Sequence, residues 1–315
     1  MTWKPKSEKK FIRFVLRFKR FKAEDSIVIF SSPRGGSTWL MQSMGKTPRT
    51  IINWEPFHPD HGIIPKGENW GRFPFLPADV INDRYREVFD EMLSMKRNSL
   101  WTLEFAEGIL FKTRVITKFV RANALLPWIL QNFKFKSMPI YLLRHPIATC
   151  LSQLKAFGND NPLMNSDSVH EWDTYCVFSQ HQDYIRSFES KLSQRVAIWC
   201  IQNKIATESR EVQRGCLWVF YEDLVQNPEL EMSRILVNYG YKPEPIIKKI
   251  RFRKRSRTDF KKEFKKDPEE QLNKTFEGLD QNELREIQGI FDYFKMKIYN
   301  TQSIFPNKSI LSHSN

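Results

Sequence analysis

Ser26-Ile27-Val28-Ile29-Phe30-Ser31-Ser32-Pro33-Arg34-Gly35-Gly36-Ser37-Thr38-Trp39-Leu40 is the stretch on which the fold turns. A short β-rich apolar run ends in a turn with two glycines, and the residues beyond it open a helix. Strand, glycine turn and helix start is a phosphate-binding layout. Gly35 and Gly36 let the backbone curl its N–H groups round an anion, and Ser37 and Thr38 add hydroxyl donors at the positive end of the helix dipole. Glycine turns also join strands to helices with no ligand, so the loop needs corroboration elsewhere in the chain. A loop of the form G-x-x-x-x-G-K-[ST] places Lys directly after its second glycine. Here Ser37 stands in that place, Arg34 precedes the glycines, and Ser31 takes the first glycine's position.

Working outward, apolar runs at Val115–Phe119, Pro139–Leu143 and Cys216–Phe220 alternate with helix-length periodic stretches at 79–96, 124–133, 146–157, 170–210, 228–239 and 280–299. Strands too uniformly apolar to have a wet face, alternating with helices, indicate an α/β fold. It is three-layered, with a mostly parallel central sheet flanked by helices. Ligands in such sheets bind beyond the C-terminal strand ends. Residues 25–300 read as one domain, preceded by a basic amphipathic segment, 1–24, and followed by a tail, 301–315. Residues 54–78, rich in Pro, Gly and aromatics without a period, read as a long ordered loop facing a substrate.

With 315 residues and 41% hydrophobic content the chain can build a substantial core. It contains no apolar run of about 18 residues, the length of a membrane-spanning helix, and no apolar leader before a small-residue cleavage site. A cytoplasmic protein is the expectation. Cys150, Cys176, Cys200 and Cys216 are scattered singly, which argues against a zinc site or a disulfide framework and for buried free thiols. The net charge of +14 is concentrated: residues 1–24 carry nine Lys/Arg against Glu8 and Glu24, and residues 248–266 carry eleven against Asp259 and Glu263. Two local basic segments do not make one face for a nucleic-acid duplex, whereas a nucleotide could employ the second. In the first, Phe11, Phe14, Val15, Phe18 and Phe21 or Lys22 share a helical stripe. Such a helix either lies on anionic lipid through residues 1–22 or packs its aromatics on the domain.

A second anion signal follows Pro139–Leu143. Arg144-His145-Pro146 sets Arg144 at a strand tip with Pro146 suited to a first helical turn, and Ser152 lies two turns further on. Taken in order, these segments resemble those of sulfotransferases. Pro33-Arg34-Gly35-Gly36-Ser37-Thr38-Trp39 is similar to their 5′-phosphosulfate loop, P-[KR]-S-G-T-T-W, with Gly35 departing from the usual Ser. Arg144 through Ser152 is similar to their R-x-P-x-x-x-x-x-S segment, whose Arg and Ser grip the donor's 3′-phosphate. Tyr221-Glu222-Asp223-Leu224 with Asn227-Pro228 resembles Y-E-D-[LM]-x-x-[ND]-P, which implies Tyr221 near the base or 3′-phosphate and structural roles for Glu222 and Asp223. Trp39 holds the family's adenine-stacking place, though core packing accounts for it as well. Arg255, Ser256 and Arg257 fall where the family closes over the 3′-phosphate with R-K-G, but here no Gly is present and a solvated charge run is the alternative.

The resemblance implies a P-loop NTPase-like topology, 3′-phosphoadenylyl sulfate as co-substrate, no metal, and transfer of a sulfuryl group to a hydroxyl or amine. Charge then develops on the bridging oxygen of the donor, where Arg34 stands ready, while an acceptor hydroxyl needs a general base. The cytosolic enzymes use His in K-T-H-x-P, but Lys118-Phe119-Val120 holds Val120 at that place. Glu55, opening Glu55-Pro56-Phe57-His58, resembles the carboxylate of branches acting on sugars and glycolipids. Glu55 is therefore the expected base, with His58 the alternate, Lys118 a candidate contact to the transferred group, and a carbohydrate or lipid-linked acceptor favoured over small phenols. A phosphotransferase and a nucleotide-binding module without catalysis are the competing readings.

Overall fold

The strand before the glycine turn, β1 (Ile27–Ser31), is buried along its whole length. In this computed structural model, which describes residues 4–65, 70, 73–158, 178–252 and 268–312, it lies at the centre of a five-stranded sheet. The order is β2-β3-β1-β4-β5, with β2 at Thr50–Trp54, β3 at Arg114–Phe119, β4 at Ile140–Leu143 and β5 at Leu217–Phe220. All four pairings are parallel, and Ile29 is level with Lys118 on one side and Ile140 on the other. The chain fills one side of the sheet through β3 and then crosses to β4, so β1 and β4 flank the topological switch point. This is the P-loop-like arrangement, with the glycine turn opening at the crevice where ligands of such sheets bind.

Alternation along the strands divides the core into two layers. Ile27, Ile29, Ile116, Ile140, Leu142, Leu217 and Val219 pack against α2 (Ser37–Met44) through Leu40, Met41 and Met44, and against Met232, Ile235 and Leu236 of the helix Pro228–Asn238. Val28, Phe30, Phe119, Tyr141 and Phe220 face the other way, toward α3 (Asp83–Leu93), α4 (Leu126–Asn132), α5 (Pro146–Phe157) and α6 (Lys191–Glu208). Four strands lie where the sequence indicates them. The fifth, β2, was not expected, because Asn53 interrupts its apolar run; buried, Asn53 donates through Nδ2 to the Met92 carbonyl at 2.8 Å. The periodic stretch 170–210 contains, within its described part, the helices Gln182–Arg186 and Lys191–Glu208, the second capped by the Ser190 hydroxyl.

The loop after β2 also corrects an expectation. Its aromatics Phe57 and Trp70 are buried and face the core, not a substrate: the Phe57 ring stacks on Phe89 at 5.5 Å and Trp70 stacks on Tyr85 at 3.7 Å. Composition favours an ordered loop but says nothing about which way its rings point. The N-terminal helix, α1 (Lys6–Leu16), packs on the domain as well, but not through its phenylalanines. Ile12 and Leu16 join Phe21, Ile51, Leu103, Ile109 and Val115, while Phe11, Phe14 and Phe18 are exposed. Buried Lys9 pairs with buried Glu104 at 2.5 Å, which fixes the inward face. Among the described residues no helix is long and apolar enough to cross a membrane. Cys150, Cys200 and Cys216 are buried free thiols, and Cys176 lies outside the described residues.

Asn203 of α6 ties the layers together. Its Oδ1 accepts from Tyr141 Oη at 2.8 Å and Asn123 Nδ2 at 2.9 Å, and its Nδ2 donates to the Trp199 carbonyl at 2.7 Å and the Ser32 hydroxyl at 3.1 Å. Removing such a hub leaves several buried groups without partners. Asn203→Ala should therefore lose about 3 kcal/mol of unfolding free energy, read from urea denaturation; a loss within experimental error would show that these bonds are dispensable.

Candidate active site

The turn Ser32–Gly36 is held from behind. Gly35 N–H bonds back to the Ser32 carbonyl at 3.0 Å, Gln153 Nε2 donates to the Pro33 carbonyl at 2.9 Å, and Arg144 Nη1 donates to the Arg34 carbonyl at 3.3 Å. Arg34 adopts a φ of 67° and Gly36, the N-cap of α2, a φ of 94°. A Cβ on Gly36 would stand 2.5 Å from the Tyr221 ring, and one on Gly35 2.5 Å from Ser31 Oγ. The glycine at 35, where the resemblance leads one to expect Ser, therefore has a local steric reason. A left-handed non-glycine residue such as Arg34 stores strain of about 1–3 kcal/mol, and strain of that kind is concentrated at functional sites.

The two anion signals meet in space. Arg34 Nε donates to Ser152 Oγ at 3.1 Å, so the first loop's cation touches the second segment's hydroxyl. Arg144 lies over the Tyr221 ring, 4.4 Å from its centroid, within cation–π range. Below them Glu222, buried, accepts from the His145 backbone N–H at 2.8 Å and from Tyr299 Oη at 3.0 Å. It thereby holds the strand tip that carries Arg144, the structural role anticipated for it. Asp223 pairs with Lys308 at 2.7 Å, on the outside.

A second polar cluster lies at the ends of β2 and β3. Lys118, 1% exposed, donates to Glu55 Oε1 at 2.6 Å and to Thr38 Oγ1 at 2.9 Å, which links β3, the loop after β2 and the first turn of α2. Arg121 Nη1 lies 3.8 Å from the other Glu55 oxygen. Glu55 itself has a φ of 42°, a second strained residue in the site. Burial pushes its carboxyl up, but the Lys118 charge and hydrogen bond, with Arg121 behind them, outweigh burial and hold it below the ordinary 4.5. Burial pulls Lys118 down, against the opposing pull of Glu55.

The match that decides the family extends over residues 26–244, which fit the family model for the sulfotransferase family. The chain belongs to the sulfotransferase family. Among solved structures it is similar to the sulfotransferase domain from the curacin biosynthetic pathway, at 16% identity with a TM-score of 0.44, covering 86% of this chain and 97% of that one. It is also similar to mouse sulfotransferase SULT7A1 complexed with PAP, at 13% identity, a TM-score of 0.41, and 93% and 89% coverage. A third is the sulfotransferase domain from the Synechococcus PCC 7002 olefin synthase, at 16% identity, a TM-score of 0.41, and 86% and 94% coverage. A comparison with curated protein sequences returned no match.

Within this sulfotransferase the remaining candidates separate. His58 is spent on its own loop: its Nδ1 accepts from the backbone N–H groups of Asp60 and His61 at 3.2 and 3.3 Å, and burial with the Arg121 charge lowers its pKa to about 4. With Nδ1 occupied and the proton on Nε2, neither ring nitrogen is left to accept a proton from an acceptor. Val120 is buried. Trp39, half-buried, leans toward Phe252 with centroids 6.3 Å apart, and it lines a cavity of about 450 Å³ together with Lys46, Lys112, Lys249 and Arg251. Phe252 was not singled out in the sequence, where it is hidden in a basic run. Arg255, Ser256 and Arg257 lie outside the described residues.

His145 and Glu222 titrate in opposite senses. Burial raises Glu222 to about 7 from 4.5, so its contribution to stability is full below 4.5 and is lost as pH rises through 7. Burial lowers His145 to about 4 from 6.5, so its contribution is full above 6.5 and is lost as pH falls through 4. The two largely offset each other between these limits. Glu222→Gln should unmask His145, so that stability rises with pH across this window more steeply than in the unmodified chain. Denaturant midpoints measured across the range test this; parallel slopes for the two proteins would count against it.

Proposed function

We propose that the chain transfers a sulfuryl group from 3′-phosphoadenylyl sulfate to a hydroxyl, on a carbohydrate or lipid-linked acceptor. The observation that carries the donor half is the convergence of Arg34, Ser152, Arg144 and Tyr221 around one glycine turn. The residues present fit the donor: Arg34 and Arg144 bring two cations to a glycine turn that opens α2, whose first amides favour an anion. Ser37, Thr38 and the amides of α2 would hold the 5′ side, Arg144 and Ser152 the 3′-phosphate, and Trp39 with Phe252 would face the purine. The donor, when bound, supplies a sulfuryl group on a phosphate leaving group. Arg34 is placed to meet charge developing on that leaving oxygen.

Glu55 would take the acceptor's proton. It is ionised at neutral pH, but in the state described here Lys118 holds Oε1, which weakens it as a base. An anion at Thr38 competes for Lys118 Nζ, because the same ammonium already donates to that hydroxyl. Binding of the donor would thus draw Lys118 off Glu55 and raise the carboxylate's basicity where it is required.

Isothermal calorimetry with adenosine 3′,5′-bisphosphate against ATP tests the donor half, and a clear preference for ATP would favour a phosphotransferase. Arg144→Ala should weaken the bisphosphate by roughly 10- to 100-fold, while adenosine 5′-phosphate, lacking the 3′ group, changes little. For the acceptor half, an acceptor screen with labelled donor comes first. Glu55→Gln should then lower kcat by roughly 100-fold or more with bisphosphate affinity retained; near-normal turnover would remove Glu55 from the mechanism.

A further inference from the structure

The N-terminal segment has two opposite faces of equal spacing, the outer one running past the end of α1 at Leu16. Lys9, Ile12 and Leu16 turn inward, whereas Phe11, Phe14 and Phe18 turn outward at 56%, 57% and 73% exposure. A second segment with exposed apolar residues packs beside α1. Ile109 is buried against Ile12 and Leu16, and the next two residues, Leu110 and Phe111, project at 57% and 83% exposure. Lys19 clamps this turn to α1 by donating Nζ to the carbonyls of Leu110 and Lys112. Of eleven exposed large hydrophobics among the described residues, five therefore belong to these two adjoining segments. Single exposed apolar residues need no explanation, but a cluster on one face does.

Its surroundings indicate the occupant. Lys6, Lys10, Arg13, Arg17, Arg20 and Lys22 are exposed beside the phenylalanines. The acids nearby are Glu8, paired with Lys4 at 2.5 Å, Glu24, which is 3.8 Å from Lys22, and Glu107, so the face remains strongly cationic. A second copy docking here would set one cationic face against another. Aromatic side chains rimmed by Lys and Arg on a helix that lies flat suit the interface of an anionic bilayer, with the rings at the acyl boundary and the cations among the headgroups.

We propose that Phe11, Phe14, Phe18, Leu110 and Phe111, with the flanking cations, form a docking surface for an anionic lipid bilayer. The surface is prebuilt: α1 is already folded and anchored by Ile12, Leu16 and the Lys9–Glu104 pair, so docking does not require a segment to order first.

The test is sedimentation of the full chain with vesicles. The unmodified protein should sediment with phosphatidylcholine vesicles containing phosphatidylserine, and far less with phosphatidylcholine alone. About 0.5 M salt should weaken that binding. The triple variant Phe11→Ser, Phe14→Ser and Phe111→Ser should melt like the unmodified chain, its substitutions being exposed, yet partition roughly tenfold or more weakly. Equal sedimentation with both vesicle types, or unchanged partition of the variant, overturns the proposal. So does a concentration-dependent dimer that the variant abolishes while no vesicle binding occurs, since that assigns the face to a second copy. None of these readouts needs a nucleotide, so failure here leaves the donor-site reading standing, and failure of bisphosphate binding leaves this one standing.

Discussion

A glycine turn at a strand end satisfies few of its own polar groups, and the rest of this structure follows from how that turn is held. The turn after β1 leaves few internal bonds beyond Gly35 N–H to Ser32, so its carbonyls and hydroxyl are gripped by other elements. Gln153 of α5 takes Pro33, Arg144 at the tip of β4 takes Arg34, and Asn203 of α6 takes the Ser32 hydroxyl. Each grip comes from the side of the sheet that the chain reaches only after crossing the switch point. The central position of β1 is what places the loop within reach of all three. Shape is therefore set before ligand arrives, and preorganisation of this kind makes electrostatic stabilisation effective, because little reorganisation is left for the moment of reaction.

The same economy explains why residues from distant segments do double duty. Arg144 bonds a loop carbonyl and spreads over Tyr221, while the Tyr221 ring fills the space that only Gly36 leaves open. Glu222, one residue on, holds the amide of His145, one residue beyond Arg144. Two adjacent residues of one helix thus meet two adjacent residues of one strand end. A buried carboxyl with raised pKa is tolerable there because it accepts from two donors and needs no counter-cation in contact.

How much of this was legible in the sequence depends on whether the information is local. The glycine turn, Pro146 after Arg144, and the apolar strands are local patterns, so they reveal the sheet and the loop, whereas the bond between Arg34 and Ser152 emerges only from the fold. The strand Thr50–Trp54 was missed because Asn53 looks like a breaker until its carbonyl partner on α3 is known. Asn203 was missed for a related reason: a single polar residue in a helical stretch carries no mark of its four partners. The rings of Phe57 and Trp70 were expected to face a substrate and instead close the core, since composition is blind to direction. The expected stripe Phe11, Phe14, Val15, Phe18 and Phe21 divides: α1 ends at Leu16, Phe11, Phe14 and Phe18 are exposed, and Phe21 joins Ile12 and Leu16 in the core with Val15 against it. Nothing in the local pattern indicated that the turn Ile109–Phe111 would add to the exposed face.

The cluster at the ends of β2 and β3 shows how a carboxylate could serve as the base proposed for this site. Histidine is convenient because its ordinary pKa is near neutrality; a carboxylate must instead be kept from being too comfortable. In Glu55 two influences compete, burial raising the pKa and Lys118 with Arg121 lowering it, and the cations prevail. Lys118, however, is shared between Glu55 and Thr38, and the second partner belongs to the helix start where an anion would bind. Moving that ammonium from the first partner toward the second would break its hydrogen bond to Glu55 and weaken its charge effect while burial stays in place. On the proposed reading, the carboxylate's basicity is coupled to occupancy of the loop through this one side chain. Arg34 and Glu55 are both held at positive φ, away from the easiest backbone conformation, and Lys118 senses the charge of each.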